Sequence, residues 1–118
     1  MKVILIPALA LAALLNAGCA SKTERPTQDW PLAAQKAETA ADHEQLAKHY
    51  DEIAQTFQAS ADEERRMLTE YQRRPYRYGK RIKDLRARST ALVRDAEAAA
   101  KDNREMADFH RQMASELH

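Results

Sequence analysis

Two long heptad repeats constrain this chain more than any other feature. From Leu46 the seam positions Leu46, Tyr50, Ile53, Phe57, Ser60, Glu64, Met67 and Tyr71 follow alternating steps of four and three. A second series keeps the same alternation: Ile82, Leu85, Ser89, Leu92, Ala96, Ala99, Asn103, Met106, His110, Met113 and Leu117. An average step of 3.5 residues keeps one stripe of a helix facing a partner helix. Between the two series lies Arg73-Arg74-Pro75-Tyr76-Arg77-Tyr78-Gly79. Pro75 disfavours helix at the residue before it, and Gly79 permits a left-handed turn. Two helices of similar length joined by a short loop fold back on each other. The expected fold is all-α: an antiparallel two-helix hairpin, coiled-coil-like, over residues 31–118. Its helices are expected at about 31–72 and 80–117, with the loop at 73–79.

Local signals agree with this fold. Alanine, glutamate, glutamine and arginine are abundant and the chain has only two glycines, a balance that favours helix and argues against a sheet. Asp29 is placed to cap the first helix, with Pro31 tolerated in its first turn. Ser60 and Glu63 form a Ser-x-x-Glu string that could restart a helix. The seam keeps its phase across that string, so one continuous first helix is expected. The stripe is narrow and partly polar. A lone hairpin then buries little apolar surface against an ordering entropy of about 1.5 kcal/mol per residue. Self-association into a four-helix bundle, as a homodimer, is therefore expected.

The start of the chain carries a different kind of signal. Met1-Lys2 is followed by an apolar run from Val3 to Leu15, and then by Asn16-Ala17-Gly18-Cys19. Such a run is too short to span a bilayer core stably but suits the apolar centre of an export signal. Small residues directly before a cysteine resemble a bacterial lipobox. Ala17, Gly18 and Cys19 match that pattern, and Asn16 stands where the pattern favours an apolar residue. The resemblance implies removal of residues 1–18 as a lipoprotein signal peptide. It also implies acylation of Cys19 and a membrane anchor facing the periplasm. Ala20 after the cysteine implies, by resemblance to enterobacterial sorting, the outer membrane rather than the inner. Two or more acyl chains hold a protein stably without a transmembrane helix. Residues 19–30 are polar, contain Pro26 and lack periodicity, and read as a flexible tether.

Charge is balanced overall but not locally. Without Lys2 the chain has 18 basic and 18 acidic residues. Arg73, Arg74, Arg77, Lys80, Arg81, Lys83, Arg86 and Arg88 cluster around the loop against Asp84 alone, with Tyr71, Tyr76 and Tyr78 interleaved. Residues 35–70 carry nine acids against four bases, and residues 89–118 six against four. A hairpin with this pattern has a basic, aromatic tip and acidic shafts. Arginine binds carboxylate and phosphate bidentately. The residues Arg73, Arg74, Tyr76, Arg77, Tyr78, Lys80 and Arg81 are thus candidates for contact with peptidoglycan, an envelope protein or another anionic surface. Export and the zero mature charge argue against nucleic acid.

A smaller chemical signal lies on the second helix. Met106, His110 and Met113 share one face, and antiparallel pairing brings His43 near His110. Imidazole and thioether suit copper, particularly Cu(I), although methionine at heptad spacing is more often a gap filler of the core. Glu64 is expected to face Ser89 or Arg88. No second carboxylate, oriented base or phosphate loop accompanies it, so neither an enzyme nor a bound cofactor is expected. The expected role is that of a structural or interaction module of the envelope, with a small metal-binding or stress-related lipoprotein as the alternative.

Overall fold

In a computed structural model the described residues are 27–118. The apolar leader, Cys19 and the tether up to residue 26 lie outside them. Three α-helices follow in order: α1 (Trp30–Gln35), α2 (Ala40–Arg73) and α3 (Ile82–Glu116), with two 3₁₀ turns, Pro75–Arg77 and Gly79–Arg81, between the last two. The long helices α2 and α3 pack along their length as an antiparallel hairpin, early residues of one meeting late residues of the other. At about 1.5 Å per residue, the 34 residues of α2 span about 50 Å. Among the described residues no helix is long and apolar enough to cross a membrane.

The first helix is not continuous. α1 starts at Trp30, where Asp29 Oδ1 accepts a hydrogen bond from the Leu32 N–H at 3.0 Å. It ends after six residues, and the chain restarts at Thr39. There the Asp42 N–H donates to Thr39 Oγ1 at 3.2 Å, while the Thr39 N–H donates to Asp42 Oδ2 at 2.9 Å. This reciprocal box satisfies helix-start donors that α2 would otherwise leave unpaired. Ser60-x-x-Glu63 offers a similar pattern, but α2 runs through it unbroken. The decisive difference is position. Thr39 precedes the regular part of the seam, so a break there loses little packing, whereas a break at Ser60 would split it.

The seam differs from the expected one in half of its positions. The contact face of α2 is formed by His43, Ala47, Tyr50, Ala54, Phe57, Ala61, Glu64, Leu68 and Tyr71, all buried or half-buried except Phe57. On α3 it is formed by Ile82, Arg86, Ser89, Val93, Ala96, Ala100, Asn103, Ala107, His110 and Ala114. Alanines spaced seven apart, 47-54-61 and 100-107-114, are essentially inaccessible to solvent. Met106 and Met113, one position before Ala107 and Ala114, were expected in the seam yet are exposed, as are Met67 and Leu92, one position before Leu68 and Val93, and Leu117 at the end of α3. The physical reason is size. A side chain reduced to one methyl lets two helix backbones approach closely, and dispersion contacts between backbones replace those between long side chains. Leu46 stays buried near the start of α2, and Ile53 is half-buried.

The one-residue shift gives the hairpin two unlike edges. On one edge Arg111 pairs with Asp51, Arg65 pairs with Glu97, and Arg104 Nη2 donates to Gln58 Oε1 at 2.9 Å. Each pair has the same residue-number sum, so these contacts mark a single register. They are solvent-exposed and add little stability. The opposite edge holds the uncharged residues Ile53, Ser60 and Met67 of α2 beside Leu85, Leu92, Ala99, Met106 and Met113 of α3, with Glu64 and Asp95 lining the groove at Ser60 and Leu92. Leu92 is 52 % exposed and Met113 is 44 % exposed.

The alanine contact makes a clear prediction. Ala107→Leu forces extra volume between two backbones and should destabilise by about 1–3 kcal/mol. Leu92→Ala, at an exposed position, should cost well under half of that in the isolated hairpin. Urea unfolding followed by helical circular dichroism measures both, and equal losses would show that the alanines are not the close contact.

Candidate functional site

The turn between α2 and α3 is built by local chemistry. The Arg74 N–H caps α2 by donating to the Glu70 carbonyl at 3.0 Å, and Pro75 ends the helix. The Tyr78 N–H then donates to the Pro75 carbonyl at 3.1 Å. Gly79 follows at φ +56°, the left-handed conformation that a side chain disfavours. Tyr78 packs edge-on against Tyr71, with ring centroids 4.9 Å apart. Arg86 reaches back from α3 and donates through Nη2 to the Tyr71 carbonyl at 3.3 Å, while its Nε is buried without a partner. Arg86 therefore belongs to the brace beneath the turn rather than to the surface cluster.

The remaining bases form the exposed end of the rod. Arg73, Arg77, Lys80 and Arg81 are exposed, Arg74 is half-buried, and Tyr76 is 77 % exposed. Among the described residues Arg74 reaches Glu70 at 3.6 Å and Arg81 reaches Asp84 at 3.4 Å. No ion pair is formed by Arg73, Arg77 or Lys80 among those residues. The expected tip residues are thus gathered at one end, with the exception that Tyr78 is half-buried and supports the turn.

A second constellation lies towards the open end of the hairpin. His43 of α2 and His110 of α3 face each other with Nδ1 atoms 3.0 Å apart. Such a contact requires one ring to donate and the other to accept, so one of the two must be neutral there. Tyr50, one heptad beyond His43, stacks on His110 with centroids 5.6 Å apart and planes 10° from parallel. The juxtaposition of His43 and His110 follows the sequence expectation. Met106 and Met113 do not join the seam with His110 but flank it on the apolar edge. Among the described residues no group of three or more His, Cys, Asp and Glu side chains gathers as a metal cluster.

Two further contacts complete the picture. Ser89 Oγ donates to Glu64 Oε2 at 3.0 Å, one of the two facing partners expected for Glu64. This pair bridges the helices as a polar seam contact and has no second carboxylate to work with. The other contact was not legible in the repeats: α1 folds back so that Trp30 stacks on His49, centroids 3.8 Å apart. The signal available for it was the lone tryptophan placed directly after the capping Asp29.

Comparison with known proteins finds no matching family model, no matching curated protein and no matching solved structure.

The histidine pair makes stability depend on pH. Burial first, and then the charge of His43, hold the His110 ring below its ordinary value of 6.5. The unfolded chain therefore takes up this proton at higher pH than the folded one. Stability from the pair is complete above about pH 6.5 and is lost as pH falls through the lowered folded value. Thermal melts should show a lower midpoint at pH 5 than at pH 7.5, and a smaller difference in His110→Gln. An identical drop in wild type and variant would remove His110 as the cause.

Proposed function

We propose that this protein is a lipid-tethered rod of the bacterial envelope that carries a basic docking tip at a distance from its anchor. The observation that carries the reading is the segregation of charge along the hairpin. Exposed bases gather at the turn, while the shafts towards the open end hold most of the acids. The start of the chain, with its lipobox-like Ala17-Gly18-Cys19, leads into α1, whose Trp30 lies against His49 in the half of α2 away from the tip. A lipid on Cys19 would set the tip about 36 Å beyond Trp30, by the rise of α2 from His49, on which Trp30 stacks, to Arg73.

The tip chemistry suits an anionic polymer with sugar faces. Arg73 and Arg77 offer planar forks to carboxylates or phosphates, and Lys80 adds a point charge. Tyr76 presents an open aromatic face beside them. Peptidoglycan combines carboxylates with sugars, and it is the partner this reading commits to. An acidic envelope protein would use the charges alone and would leave Tyr76 unimportant. Binding and spacing need no activated group, so the proposed role is non-enzymatic.

Anchor and tip are separable in one experiment. In cells, Cys19→Ala should release the chain from membranes, whereas Arg73→Glu with Arg74→Glu and Arg77→Glu should leave it membrane-bound. The purified charge-reversed protein should lose salt-sensitive co-sedimentation with peptidoglycan, and Tyr76→Ala should weaken it. Unchanged membrane retention of Cys19→Ala would overturn the anchor, and unchanged sedimentation would overturn the tip.

The apolar edge supports a second feature, pairing with another copy of the chain. Positions Ile53, Ser60, Met67, Leu85, Leu92, Ala99, Met106 and Met113 carry no charge, and a twofold axis would bring two such edges together with Glu64 and Asp95 beside the contact at Ser60 and Leu92. The product is a four-helix bundle, which would cover side chains that a single hairpin leaves in water. The chain lacking residues 1–18, with Cys19 replaced by Ser, should sediment as a dimer, and Leu92→Glu should make it monomeric. A stable wild-type monomer at tens of micromolar would exclude the pairing.

A further inference from the structure

We propose that His43 and His110, together with Met106 and Met113, form a binding site for a soft monovalent metal ion of the copper(I) class. The site is independent of the tip and of the anchor. Its basis is the approach of two imidazoles from different helices, Nδ1 to Nδ1 at 3.0 Å. An ion bonded at about 2.0–2.1 Å to two nitrogens at a tetrahedral angle holds them about 3.3 Å apart. The rings thus need to part by only a few tenths of an ångström, within the reach of small side-chain rotations. The two Nδ1 atoms that share a proton in the hydrogen bond are the two that would bind the metal, once the donor ring carries its proton on Nε2 instead. Tyr50 stacked on His110 holds that ring in place, and the helix backbones hold the two Cα positions.

The choice of ion follows from the remaining donors. Residues three and four places from His110 lie on its side of the helix, one turn away in each direction. Those residues are Met106 and Met113, both partly exposed on the edge beside the histidine pair. Methionine has three rotatable bonds and a polarisable sulfur, so either thioether can swing towards the pair. The nearby carboxylate of Asp42 is already occupied by Thr39 Oγ1 at 2.7 Å and by the Thr39 N–H at the start of α2. Two imidazoles and one or two thioethers form a neutral, soft donor set. Such a set favours a monovalent soft ion and gives calcium, magnesium or manganese nothing to prefer. Zinc would find two good ligands here, short of the three or four it takes in stable sites. Metal bound through Nδ1 requires both rings to be neutral, so acid should release it.

The test uses the full chain with Cys19→Ser, which removes a thiol that would compete for the probe. Cu(I) is titrated anaerobically against a chromogenic chelator, and Zn(II) is titrated in parallel. One Cu(I) per chain should bind, more tightly than Zn(II). His43→Ala and His110→Ala should each weaken Cu(I) binding by at least the tenfold to hundredfold, roughly, that losing an outer-shell partner costs a metal site. Met106→Leu with Met113→Leu should weaken it less, with the helical signal unchanged. Ring resonances of His43 and His110 in the Cys19→Ser chain should shift with Cu(I), while those of His49 and His118 stay in place. That last measurement decides the matter if an alanine variant unfolds. Shifts centred on His49 or His118, or equal affinity in the histidine variants, would overturn the site. Zn(II) bound more tightly than Cu(I) would overturn the assignment to a soft monovalent ion, and an unaltered affinity in the methionine double variant would remove the thioethers from it.

Discussion

Close packing of alanine against the facing helix is the constraint on which the rest of this structure depends. Ala47, Ala54 and Ala61 on α2 and Ala100, Ala107 and Ala114 on α3 are buried almost completely. They remove little apolar surface individually. Their effect is to let two backbones lie close together along most of their length, where many weak contacts add up. Once that close approach sets the rotation of each helix, every other side chain has its place. The residue before each alanine falls on one edge and the residue four after it falls on the other.

The two edges have different physical characters because of that rotation. Arg65, Arg104 and Arg111 cross to Glu97, Gln58 and Asp51 on one edge. Exposed pairs of this kind specify register more than they add stability. On the other edge the chain spends its leucines and methionines in partial exposure. The hairpin buries its alanines and leaves Met67, Leu92, Met106 and Met113 exposed on this edge. The same rotation puts His110 against His43 while leaving Met106 and Met113 beside them, so the alanine seam also determines which groups meet at the open end.

Much of this arrangement was legible in the order of residues. Pro75 and Gly79 place the turn, and Gly79 adopts the positive φ that its lack of a side chain allows. Asp29 caps α1 as its type and position suggest. His43 meets His110, and Glu64 meets Ser89, because antiparallel pairing about a known turn makes partners calculable to within a turn of helix. Besides the stacking of Trp30 on His49, two features were not legible. Thr39 and Asp42 form the real capping box, while Ser60 and Glu63 share a similar pattern without capping anything. The seam was offset by one residue in half of its positions, since a pattern of apolar size points to Leu92 and Met106 whereas the close contact selects Val93 and Ala107.

The sequence by itself determined the helical class, the hairpin, the location of the turn and the concentration of bases around it. These follow from heptad spacing, helix-favouring composition, one proline and one glycine, all of which act locally. Only the tertiary structure decided which stripe of each helix is inside. Alanine is compatible with either a surface or a seam, and its role depends on what stands opposite. The partner helix makes that choice, and with it come the ion-paired edge, the apolar edge and the meeting of the two histidines.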